Sequence, residues 1–84
     1  MKFILPDTQE NMDALRSLVH FEQLLRRIVG VRTADGDVVF RAIPHNKGVT
    51  NRKLKQIVQA KPFRGEMPED GERFVIRARG GSED

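Results

Sequence analysis

With 84 residues, the chain has room for one domain, and a domain of this size buries only about 60 to 65% of the surface its unfolded form exposes. Hydrophobic residues make up 38% and charged residues 32%, which is polar for a globular domain but too periodic in its apolar positions for a disordered tail. The absence of cysteine excludes disulfides and thiolate metal sites.

No apolar run approaches the length of a membrane span or of a signal peptide, so the sequence reading is a cytoplasmic chain with no membrane role. The net charge is +3, but its distribution is uneven. From Val38 to Gly65 there is no acid, and Arg41, Lys47, Arg52, Lys53, Lys55, Lys61 and Arg64 give that segment +7. The rest of the chain sets eight cations against twelve acids.

Lys2 to Leu5 predicts a short strand with Phe3 and Leu5 on one face, ended by Pro6. Asp7 to Gly30 then predicts one long amphipathic helix. Asp7 is the expected N-cap with Glu10 three residues on, Arg26 and Arg27 fall in the last turn, and Gly30 is the stop. Ala14, Leu18, Phe21, Leu24, Leu25, Ile28 and Val29 form its apolar arc, widened by Met12, Leu15 and Val19. That arc is broader than one sheet face requires, so exposure of those last three residues would indicate a homodimer or a protein target. His20 falls on the opposite, solvated ridge.

Asp35-Gly36 is a hairpin signal between Val31–Ala34 and Asp37–Ile43. A two-residue turn there sets Val31 opposite Phe40 and Thr33 opposite Val38. It leaves Arg32, Val39, Arg41 and Ile43 on the second face. After the loop His45-Asn46-Lys47-Gly48, a second helix is expected from Thr50 to Lys61, capped by Thr50 and stopped by Pro62. Phe63 to Glu72 reads as a loop. Arg73 to Arg79 alternates as a strand with Phe74, Ile76 and Ala78 inward and Arg73, Arg77 and Arg79 outward.

The order strand, helix, strand, strand, helix, strand is the ferredoxin-like βαββαβ pattern. It is an α+β fold with two helices on one face of a small antiparallel sheet, over residues 1–79, with 80–84 as a flexible tail. The alternative is a hairpin-plus-helices α+β fold in which Lys2 to Leu5 does not pair. The run Phe74-Val75-Ile76-Arg77-Ala78-Arg79-Gly80-Gly81 resembles the C-terminal tail of ubiquitin. That resemblance implies conjugation through the diglycine. Ubiquitin-like folds begin with a hairpin, whereas here Pro6-Asp7 leads from one strand directly into a helix, so edge-strand alternation accounts for the same residues.

Two anion sites are expected. The first is the cap of the second helix, where Lys47, Thr50, Asn51, Arg52, Lys53 and Lys55 gather cations and donors where helix amides are unpaired. The second is the sheet face away from the helices, with Arg32, Arg41, Arg77 and Arg79 set among Val39, Ile43 and Val75. No Tyr or Trp is present and four of the five Phe fall in core phase, which excludes a base-stacking platform and leaves backbone contact.

His20 and His45 have no second ligand at metal spacing, and no nucleophile stands in a Ser/His/Asp arrangement. The reading is therefore a non-enzymatic module without cofactor that contacts DNA or RNA backbone. The competing reading is a protein-interaction or inhibitor module that docks through the arginine and aliphatic sheet face or the long apolar helix.

Overall fold

A computed structural model describes residues 2–22, 24–45, 52, 55–56, 61–62 and 67–78. The chain is α+β. Its described elements are β1 (Lys2–Pro6), α1 (Gln9–Ser17), a π turn (Leu18–Glu22), β2 (Leu25–Arg32), β3 (Asp37–Pro44), β4 (Lys61–Pro62) and β5 (Glu72–Arg77).

The sheet runs β4-β1-β3-β2-β5 with antiparallel neighbours throughout. β1, α1 and β2 form a split βαβ unit, because β3 lies between the two strands that the helix connects. β1 is therefore paired, and the arrangement that leaves it unpaired does not occur. Arg52, Lys55 and Gln56 are helical and exposed. The other residues expected in the second helix lie outside the described ones, except Lys61, which is in β4 opposite Ile4.

The long helix expected from Asp7 to Gly30 is corrected to α1 and its π turn. Thr8, not Asp7, is the N-cap: its hydroxyl oxygen accepts from the Asn11 amide at 3.2 Å. Asn11 Nδ2 donates to the Pro6 carbonyl at 2.8 Å, tying the first turn to the end of β1. A cap of this kind contributes about 1 kcal/mol.

The remainder of the expected helix is strand β2, where Ile28, Val29, Gly30 and Val31 are buried in succession. An unbroken apolar run fits a helical arc as well as it fits a strand covered on both faces, and the β-branched side chains decide for the strand. Arg26 and Arg27 thus stand at a bulge in β2 and not in a helix terminus. Gly30 is a strand residue and not a helix stop.

The hairpin register also moves by one residue. Val31 pairs with Val39, and Gly30 with Phe40. Thr33 and Asp37 close the loop: Thr33 N–H donates to the Asp37 carbonyl at 2.9 Å, and the Asp37 amide donates to the Thr33 hydroxyl at 3.2 Å. Gly36 donates to the Thr33 carbonyl at 3.2 Å and takes φ +86. Three residues therefore turn the chain, a turn followed by a left-handed residue, where two were expected. The slip transfers β2's side chains between faces while β3 keeps its own.

The core lies between α1 and one sheet face. Phe3, Leu5, Val38, Phe40, Ala42, Ile28 and Ile76 meet Met12, Leu15, Leu18 and Val19 there. The Phe3 and Phe40 rings stack with centroids 5.5 Å apart. Phe74 and Ala78 pack at the margin, as the alternation of β5 predicts. Met12 and Leu15 on α1 and Val19 in the π turn are at most 4% exposed, so the exposure that would have indicated a dimer or a protein target is not found at these three residues. His20, expected on the solvated ridge, is half-buried, and its Nδ1 has no hydrogen-bond partner among the described residues.

Candidate functional site

The sheet face turned away from α1 is ordered by strand register. One row across it reads Lys2, Arg41, Val29, Val75, and the next reads Ile4, Val39, Val31, Arg73. On the other side of the first row lie Ile43, Arg27 and Arg77. Side chains on one face repeat every second residue, so rows are about 7 Å apart and strands about 4.8 Å. Among the residues whose side chains are described, five cations and an aliphatic stripe thus share a surface on which these three rows place no acid. Asp37 stands at the far margin, beyond the row of Ile4 and Val39.

Part of this face is roofed. The segment 67–71 folds over β2, and Val29, Val31 and Val39 are each 4% exposed. Between roof and sheet is a groove of about 330 Å³ with Val29 and Val31 on its floor and Met67 and Pro68 on one wall. Lys2, Arg41, Arg73 and Glu69 supply its charge. Gly71 sets the roof's height. Its φ is +103, and a Cβ there would collide with the Arg32 carbonyl oxygen and come within 3.0 Å of Val31 Cγ1.

Gly71→Ala should therefore lift the roof, costing about 1 to 3 kcal/mol from the disfavoured φ and the backbone collision together. Chemical denaturation measures the loss, and faster amide exchange at Val29 and Val31 would report the exposed floor.

Of the residues expected on this face, Arg41 and Arg77 are there. Arg32 is corrected to the opposite side by the register slip. Its Nε lies 3.2 Å from Asp7 Oδ2, its Nη1 lies 3.8 Å from Glu72 Oε1, and its guanidinium carbon sits 5.0 Å from the Phe74 ring centroid. Arg32 is a clasp between β2, the start of α1 and β5, and its charge is engaged. Val39, expected to be exposed here, is covered; Val75, at 43%, is the exposed large hydrophobic side chain among the described residues.

Arg52 and Lys55 are exposed on their helical segment. Lys47, Thr50, Asn51, Lys53 and Arg79 lie outside the described residues. The face also gathers Lys2 and Arg27, which were not assigned to it from sequence, and Arg73, which was read as outward but not counted in the site. The pairing of β1 with β3 brings Lys2 in, and the strand character of β2 brings Arg27.

Among the described residues, no three His, Asp or Glu side chains cluster as metal ligands, and no helix is long and apolar enough to cross a membrane. No protein-family model matches the chain, and comparison with curated proteins and with solved structures finds no match either.

Proposed function

We propose that this protein is a non-enzymatic binding module that holds nucleic-acid backbone, DNA or RNA, on the sheet face opposite α1. The observation that carries the reading is the register-built array of Lys2, Arg27, Arg41, Arg73 and Arg77, a cationic surface on a rigid sheet. Arginine suits phosphate, since its planar guanidinium donates in pairs. The exposed helical cations Arg52 and Lys55 would extend the electrostatic field, and the ferredoxin-like arrangement with a full second helix belongs to the same proposal.

A protein partner is the second reading, favoured by one observation. Val75 is exposed on this face beside Arg73 and Arg77, and an aliphatic side chain between arginines is a common interface anchor. The two readings separate on sequence dependence. A backbone binder without aromatic stacking residues should hold mixed-sequence oligonucleotides with affinities within about threefold of one another. Fluorescence anisotropy on a panel of labelled strands would measure this; absence of binding at low salt would rule out the nucleic-acid reading and leave the protein partner.

A further inference from the structure

We propose that the groove beneath segment 67–71 is a site for a small amphipathic anion, a carboxylate or phosphate head on a short aliphatic chain. Its volume, about 330 Å³, falls at the lower end of the range that small-molecule pockets occupy. The two halves of the lining differ in chemistry. Val29 and Val31 form an apolar floor, each 4% exposed, and Met67 adds a flexible, polarizable wall that adapts to an alkyl chain.

Among the described residues, the charged half is made by Lys2, Arg41 and Arg73 with Glu69 beside them. Arg41 and Arg73 are both exposed. They stand on strands either side of β2 and one row apart, so their Cα atoms are separated by about 12 Å from sheet geometry. Two long guanidinium side chains converging from that distance can close on one head group, while the chain of the ligand lies along the valines. A bare inorganic anion would leave the apolar floor unused, and a neutral alcohol would leave the guanidinium pair without an acceptor.

This site shares Arg41 and Arg73 with the proposed nucleic-acid surface but does not depend on that reading, because its ligand is a separate small molecule with its own readout. The test is a titration of the intact protein, labelled at its methionine methyls, with octanoate below its micelle concentration, and with octanol and acetate as the two half-ligands. The site predicts a saturable shift of the Met67 methyl with octanoate, at least tenfold tighter than with either half-ligand, while the buried Met12 methyl stays in place.

Arg73→Gln, on an edge strand and free of core contacts, should weaken octanoate by at least fivefold while leaving the Met12 resonance unmoved. The proposal is overturned if octanol matches octanoate, if acetate does, if Met12 moves as far as Met67, or if no saturable shift occurs.

Discussion

Gly30→Ala should lower stability by about 2 kcal/mol, and most of that loss should disappear when Phe74 is shortened in the same molecule. Gly30 sits in β2 between Phe40 on β3 and Phe74 on β5. A Cβ at Gly30 would collide with the far end of the Phe74 ring, and even Cε2, the furthest of the three nearest ring atoms, would be only 2.8 Å away. The ring cannot move freely aside, because the Arg32 guanidinium stacks near it.

Two effects of opposite sign compete. Replacing glycine restricts the unfolded chain and favours folding by about 0.4 to 1 kcal/mol. Forcing a methyl group into an occupied place costs typically 1 to 3 kcal/mol, and expelling a half-buried phenylalanine costs a similar amount. Sterics should win.

Urea unfolding of Gly30→Ala, Phe74→Ala and the double variant gives the coupling directly, and the double variant should be at least 1 kcal/mol more stable than additivity implies. Amide exchange in β5 should rise in Gly30→Ala, since the ring is what seats that strand against the core. A Gly30→Ala protein as stable as the parent would show that Phe74 does not lie over Gly30.

Reversing Arg41 and Arg73 together to glutamate should weaken nucleic-acid binding on the order of a hundredfold at low salt. On the proposed reading, each substitution removes one phosphate contact and sets a carboxylate near the nucleic-acid backbone. Together they cost about 2 to 3 kcal/mol, where 1.4 kcal/mol is a factor of ten. Both side chains are exposed, and β5 is an edge strand, so the fold should tolerate the change.

Arg32→Glu is the informative comparison, because it alters net charge by the same amount per residue on the opposite face. Placed beside Asp7 and Glu72, a third carboxylate should depress the melting temperature by several degrees and leave the affinity of the folded protein within about twofold. Equal losses of affinity from reversals at Arg32 and at Arg41 would mean that net charge, not the sheet face, governs binding.

What the sequence disclosed follows from which signals have only one reading. The inward phase of Phe74, Ile76 and Ala78 and of Val38, Phe40 and Ala42 repeats every second residue, and β5 and β3 turn those residues to the core. Leu24 to Val31 has no such exclusivity, since its apolar residues, interrupted by Arg26 and Arg27, match both periods. Its burial on two faces depends on a roof contributed from residues forty positions away in the chain.

The one-residue slip had a local cue in Thr33, whose backbone and side chain both bond Asp37 and so lengthen the loop. Because that slip turns β2 over, it removed Arg32 from the expected binding face and left Arg41 and Arg77 in place. Lys2 became part of the face only through its pairing with Arg41, information that is nonlocal by nature. The spacing around Gly71 was equally silent, because a loop glycine reveals its close approach to β2 only once the two are in contact.

The most direct test of the central claim is the salt dependence of binding to a short oligonucleotide, followed by anisotropy from about 50 to 200 mM. If three to five of the five sheet-face cations each neutralise a phosphate, the plot of log affinity against log salt is linear with a slope of about −2 to −4.5, the range running from single strands to duplex. The Arg41→Glu variant should shallow it by about one. A slope near zero, or one unchanged by reversal of Arg41 and of Arg73, would contradict the assignment of this face as the backbone-binding surface.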